Sequence, residues 1–145
     1  MRATLYADTS LLVSLYLADA NTTAALTAIT TAAKPLLLTT WQLFEMENAF
    51  QLRLFRRECS PADITEAGER LQADLAAGAV ITANLPLPPV LALARSLTAA
   101  HSARFGSRAF DVFQVAAALH LKASGFLSFD GRQRGLARAA GLRVI

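Results

Sequence analysis

Ala3-Thr4-Leu5-Tyr6-Ala7-Asp8-Thr9-Ser10 is a short apolar run that stops at a carboxylate and passes straight into helix-starting residues. The pattern returns near the other end of the chain, in Gly125-Phe126-Leu127-Ser128-Phe129-Asp130-Gly131. Each reads as a strand leading through an acid into a helix. In an open α/β sheet, ligands bind outside the carboxyl ends of the strands. Asp8 and Asp130 therefore fall on one edge, far apart in sequence and near in space. Two carboxylates there suggest a cation site.

Working outward, strand-like and helical runs alternate. Residues 3–8 read as a strand and 9–18 as a helix capped by Thr9 or Ser10. Asn21 caps a second helix through about Ala33, and Leu36-Leu37-Leu38-Thr39 is a buried strand. Thr40 opens a long helix to about Arg57, with Leu43, Met46, Phe50 and Leu54 at helical spacing. Ser60-Pro61-Ala62-Asp63 starts another with a Ser cap, an N1 proline and an acid at the capping-box position, and Gly78 ends it. Val80-Ile81-Thr82 is a short strand, and Pro86-Leu87-Pro88-Pro89 leads into a helix ending near His101. A loop at 102–107, a helix from Arg108 to Ala123, a strand at 126–129, a helix at 131–140 and a last strand at 142–145 complete the chain. This alternation predicts α/β architecture with a mainly parallel sheet, in one domain over residues 1–145. No internal repeat or linker interrupts it.

Hydrophobic residues make up 54 % and charged residues 17 %, which supports a large core and argues against disorder. The surplus apolar surface points to a homo-oligomer or a standing protein partner. No apolar run approaches the ~18 residues of a membrane span, and the N-terminus does not read as a signal peptide. The lone Cys59 cannot form an internal disulfide, which fits a reducing cytoplasm. Of the 14 basic residues 12 are arginine, and residues 101–145 carry seven basic side chains against two acids, Asp111 and Asp130. Such a surface suits a polyanion or an acidic partner, although ordinary solvation explains it equally well. Acids in so basic a region need a reason.

The chain has 11 acids. Asp63, Glu66, Glu69 and Asp74 share one helix and read as its solvated face; Asp19 and Glu58 read as loop or helix-end residues. That leaves Asp8, Glu45, Glu47, Asp111 and Asp130. Glu45 lies one turn into the helix after the second strand, near the same sheet edge, and shares a face with Asn48. Glu47 points about 200° away on the helical wheel. Asp111 sits in the first turn of a strongly apolar helix, with Arg108 one turn earlier. A dipole-stabilised acid explains it; so does a metal ligand with a supporting partner. Clustered carboxylates suit a hard cation such as Mg²⁺ or Mn²⁺, which can activate water and neutralise charge on a phosphate.

Four segments in order carry a resemblance. Tyr6-Ala7-Asp8-Thr9-Ser10, Glu45-Met46-Glu47-Asn48-Ala49, Arg108-Ala109-Phe110-Asp111 running into Val115-Ala116-Ala117-Ala118-Leu119, and Phe126-Leu127-Ser128-Phe129-Asp130-Gly131-Arg132-Gln133 look like a PIN-domain ribonuclease. More narrowly, they resemble the VapC-type toxins of bacterial toxin–antitoxin pairs. The resemblance implies a three-layer α/β/α sandwich around a mainly parallel sheet. It implies that Asp8, Glu45, Asp111 and Asp130 bind Mg²⁺ or Mn²⁺ and support endonucleolytic RNA cleavage. Thr9, Ser10, Asn48, Arg108 and Ser128 would support them, and Arg108 and Arg132 would contact RNA or antitoxin. It further implies a homodimer and a small VapB-like antitoxin that occupies the cleft, with DNA reached only through that partner. Gln114 stands where close relatives often carry histidine; it can hydrogen-bond but cannot titrate near neutrality.

Other readings fare worse. A haloacid-dehalogenase-like phosphatase needs an aspartate where Ser10 stands. A receiver domain needs a lysine after a late strand, whereas Lys122 falls in a helix. No dinucleotide-binding glycine fingerprint occurs. The remaining alternatives are a PIN scaffold that binds RNA or protein with little catalysis, and a general RNA-processing nuclease. Which RNA is cut, the number of ions and the dimer surface are not legible.

Overall fold

The computed structural model describes residues 2–145. Its centre is a sheet of β1 (Leu5–Ala7), β2 (Leu36–Thr39), β3 (Val80–Ala83) and β4 (Gly125–Leu127), in the order β3-β2-β1-β4. Every pairing is parallel, with Leu5 opposite both Leu36 and Gly125, and Leu36 opposite Val80. These strands are near-continuous apolar runs because helices cover both faces. Successive side chains alternate between the covers: Leu5, Ala7, Leu36 and Leu38 join one core cluster, Tyr6, Leu37 and Phe126 the other.

The first core lies under α1 (Thr9–Tyr16), α2 (Thr22–Ala32), α3 (Thr40–Phe55) and α4 (Pro61–Ala77). The second lies under α5 (Leu87–Leu97), α7 (Ala109–His120) and α8 (Gly131–Ala139). From β1 the chain steps to β2 and β3 on one side, then returns to place β4 on the other side of β1. Because such crossovers share one hand, reversing direction sends the later helices to the opposite face. The reversal also opens a crevice at the carboxyl ends of β1 and β4, the position where open α/β sheets bind ligands. Glycine at 125 lets β4 lie close beside β1 and the C-terminus, since a Cβ there would lie 2.4 Å from Ile145 Cδ1 and 2.9 Å from Leu5 Cδ2, and those side-chain ends would have to move.

Several local expectations change. Asp8, not Thr9 or Ser10, caps α1: its side chain accepts from the Ser10 N–H. Thr9 is thereby free to turn inward, where it is buried. Asn21 precedes α2 without a side-chain cap. Residues 102–107 are not simply a loop, because α5 continues through a π-helical turn at Thr98–Ser102 into α6 (Ala103–Phe105). The strand expected at 142–145 shrinks to one parallel bridge, Val144 with Phe126, at the β4 edge. By contrast, the Ser60–Asp63 capping box forms as read, with both reciprocal hydrogen bonds. Asp74 is not merely solvated: Tyr16 Oη donates to it at 2.6 Å, and burial together with that carboxylate pushes the Tyr16 phenol well up.

Candidate active site

Each candidate acid reaches the crevice from a different element. Asp8 follows β1 directly, and its Oδ2 accepts from the backbone N–H and the hydroxyl of Ser10. Glu45 projects from the second turn of α3, which a Thr39–Gln42 capping box fixes at the end of β2. Gln42 also donates to the Ala7 carbonyl at 2.7 Å, tying the start of α3 to β1. Asp111 lies in the first turn of α7, 3.2 Å from Arg108 Nε. Asp130 caps α8, its Oδ1 accepting from the N–H groups of Arg132 (2.8 Å) and Gln133 (3.3 Å).

Two buried glutamines knit these positions together. Gln114 Nε2 donates to Glu45 Oε1 at 2.7 Å and to Thr9 Oγ1 at 2.9 Å; Thr9 in turn donates to the same Glu45 oxygen at 3.1 Å. Tyr6 Oη donates to Gln114 Oε1 at 2.5 Å. Across the cleft, Gln133 Nε2 donates to Asp8 Oδ1 at 3.2 Å and approaches the Asp111 carbonyl at 3.4 Å. Ser128 Oγ donates to Gln133 Oε1 at 2.7 Å and accepts from the Asp130 N–H at 3.0 Å.

Burial raises the Glu45 carboxyl above the usual range, and the charges of Asp8 and Asp111 raise it further against the Thr9 and Gln114 hydrogen bonds. Thus Asp8, Glu45 and Asp111 lie within electrostatic reach of one another. Asp130 is linked to Asp8 indirectly, through Gln133, from whose N–H it accepts and whose Nε2 donates to Asp8. Among the described residues, however, no three acids stand close enough to cage an ion by themselves. The expected four-carboxylate cleft is therefore an open arrangement rather than a closed cage.

The supporting residues divide. Thr9 and Ser128 are buried in the network and Ser10 contacts Asp8. Asn48 is not brought to Glu45: it is exposed and lines a groove with Phe44, Glu47 and Ile64. Arg108 is 83 % exposed, so its guanidinium can reach an outside anion as well as Asp111, and Arg132 is exposed beside Asp130. Tyr6 and Gln133 had no assigned role in the sequence, and Gln114 stood out only as a departure. The signal for Gln114 was present, as the polar residue inside Val112-Phe113-Gln114-Val115-Ala116-Ala117. A buried amide of that kind must find partners.

The donor set fits a hard divalent cation. It consists of carboxylates, and Glu45 Oε2 and Asp130 Oδ2 accept no hydrogen bond among the described residues. The only basic side chain paired with any of these acids, among the described residues, is Arg108. An open array leaving places for water is what Mg²⁺ usually takes.

The layout of sheet and helices is the PIN-like α/β fold of VapC proteins. VapC20 of Mycobacterium tuberculosis, described as a sarcin-ricin loop cleaving toxin, superposes with a TM-score of 0.61 at 22 % identity, over 95 % of each chain. FitAcB from Neisseria gonorrhoeae gives 0.57 at 19 % identity, covering 97 % of this chain and 96 % of that one. No protein-family model and no curated protein matches the sequence.

Proposed function

We propose that this chain is a divalent-metal-dependent endoribonuclease, acting as the toxin of a VapBC-type toxin–antitoxin pair. The feature that supports the reading is the placement of Asp8 and Glu45 at the strand-end crevice, each held by neutral donors, with Arg108 the only basic partner of any candidate acid among the described residues. Asp8, Glu45, Asp111 and Asp130 would hold Mg²⁺ or Mn²⁺. When bound, such an ion supplies Lewis-acid activation of water and neutralises charge developing on the phosphate. The chain's own residues do the rest. Thr9 and Gln114 hold Glu45, Ser10 and Gln133 hold Asp8, and the exposed Arg108 and Arg132 grip flanking phosphates. No histidine or cysteine is needed.

A protein partner and self-association belong to the same proposal. Phe44, Phe55 and Phe110 are 64 %, 84 % and 50 % exposed, and an apolar groove of 310 Å³ runs between Trp41, Leu87, Leu91, Phe110 and Phe113. Exposed apolar side chains lining a groove suit burial against a partner; the antitoxin and a second copy of the chain are the occupants proposed. The second reading, a PIN scaffold that binds RNA or protein without cutting it, rests on the same exposed apolar and arginine surface and does not need the acids to hold an ion.

Incubating the purified chain with defined RNAs, with Mn²⁺, Mg²⁺ or chelator, separates the two. The nuclease reading expects metal-dependent internal cleavage, and a metal-dependent rise in melting temperature that Asp8→Asn weakens. RNA binding with neither response would establish the binding module instead.

A further inference from the structure

The two glutamines behind the carboxylates are built alike. Gln114 and Gln133 are 2 % and 1 % exposed, and each has its oxygen tied to a hydroxyl, Tyr6 for the first and Ser128 for the second. Since a hydroxyl can either donate or accept, it is the carboxylate beside each amide that decides which way the amide faces, and the hydroxyl holds it there. If Gln114 turned over, its oxygen would confront the Glu45 carboxylate; if Gln133 did so, its oxygen would confront Asp8. The amino groups therefore point at Glu45 Oε1 (2.7 Å) and Asp8 Oδ1 (3.2 Å). Glu45 Oε2 is left with no donor among the described residues.

A neutral donor is the feature that matters. An arginine or lysine in either place would orient the carboxylate equally well but would also neutralise it and repel a cation. An amide fixes the oxygen and leaves the negative charge available. Hydroxyl–amide–carboxylate chains of this kind resemble the outer partners that orient ligands around protein-bound metals.

We propose that Gln114, locked by Tyr6, and Gln133, locked by Ser128, are positioning residues that aim Glu45 and Asp8 at a divalent cation. The proposal rests on the reading above that these acids bind such an ion. It is tested without RNA, by calorimetric titration of Mn²⁺ into the full chain stripped with chelator, with melting curves in chelator confirming each variant's fold. Glu45→Ala serves as the ligand control. Gln114→Met and Gln133→Met, close in shape but without donors, should each weaken Mn²⁺ binding by about 10- to 100-fold. Tyr6→Phe leaves the amide in place but unlocked, and should weaken binding by roughly 3- to 10-fold. Because Tyr6 acts through Gln114, adding Tyr6→Phe to Gln114→Met should cost nothing more, whereas two independent packing defects would add.

If Gln114→Met does not fold, Tyr6→Phe and Gln133→Met decide the matter. Variants that bind within twofold of wild type, while Glu45→Ala does not bind, would overturn the positioning role and leave the cation reading standing. Wild-type protein that binds no Mn²⁺ would overturn both.

Discussion

Helices α1 and α3 lie side by side, and their two ends treat carboxylates in opposite ways. At the starting end, Thr9 of α1 meets Glu45 of α3, with Asp8 just before, and neutral groups supply the hydrogen bonds. At the finishing end, Arg53 of α3 reaches the Leu17 carbonyl just past α1 and pairs with Asp19 at 2.5 Å. Ser14 and the Asn21 N–H also donate to Asp19, each at 2.7 Å. Burial pushes the Asp19 carboxyl up, but these donors and the Arg53 charge together bring it below the usual range. At Glu45 burial wins, because its neighbours are acids and amides. One end is thus neutralised by the chain itself, whereas at the other no basic side chain among the described residues pairs with Glu45 or Asp8. A carboxylate raised by burial and like charges in a crevice is a candidate functional site; one lowered by its own arginine fits a structural joint.

The largest effect that could break this contrast is on activity. Asp111→Asn or Glu45→Gln should lower Mn²⁺-dependent RNA cleavage by roughly 10²- to 10³-fold, as expected for losing several kcal/mol of transition-state charge stabilisation. Arg53→Ala should leave cleavage per folded molecule unchanged. Full activity in pure Asp111→Asn protein would remove that acid from the site. Next in size is stability. Arg53→Ala removes the charged partner of a part-buried carboxylate that keeps its Ser14 and Asn21 donors, and should cost about 1–3 kcal/mol in a denaturant titration. A loss under about 0.5 kcal/mol would reduce the Arg53–Asp19 pair to an ordinary surface bridge, and the two ends would no longer differ in kind.

The starting end was more legible in the sequence than the finishing end. Asp8 and Asp130 announce themselves because each follows an apolar run at a helix start, and their spatial meeting follows from sheet topology alone. Glu45 was legible by helical phase. Asp19 read as a loop residue because its partner Arg53 lies 34 positions away on another helix; nothing local in either segment signals the pair. The glutamines escaped for a related reason. Gln114 bonds residues 69 and 108 positions away, so its role depends on which strand faces which helix. Asn48 failed the other way: shared helical phase with Glu45 put it on the right helix, but the exposed groove beside Phe44 claims it. The last strand was overread, since Leu142-Arg143-Val144-Ile145 has apolar content but only one bridge to pair with.

A smaller effect concerns acid. The folded carboxyl of Asp19 is held below its unfolded value, so its stabilisation is present above the unfolded pKa and disappears as pH falls through the folded one. Melting temperatures taken from about pH 6 down to about pH 2 should show this loss. Asp19→Asn should start lower and decline less steeply over that window. Equal slopes would mean that other acids govern the limb.

The smallest effect has the opposite sign and sharpens the comparison most. The Glu45 carboxyl is held above its unfolded value, so whatever stability it gives is present below the unfolded pKa and lost as pH rises through the folded one. Burial and the neighbouring acids make ionising that group in the folded, metal-free protein costly. Glu45→Gln should therefore melt slightly higher than wild type in chelator, and the gap should close toward about pH 4. Added Mg²⁺ should reverse the order, because an ion at 100 times its Kd stabilises wild type by about 2.7 kcal/mol and binds the variant, one carboxylate short, more weakly. If Glu45→Gln instead melts lower than wild type in chelator, Thr9 and Gln114 outweigh burial and repulsion. The carboxylate would then be as settled as Asp19, with no charge waiting for a cation.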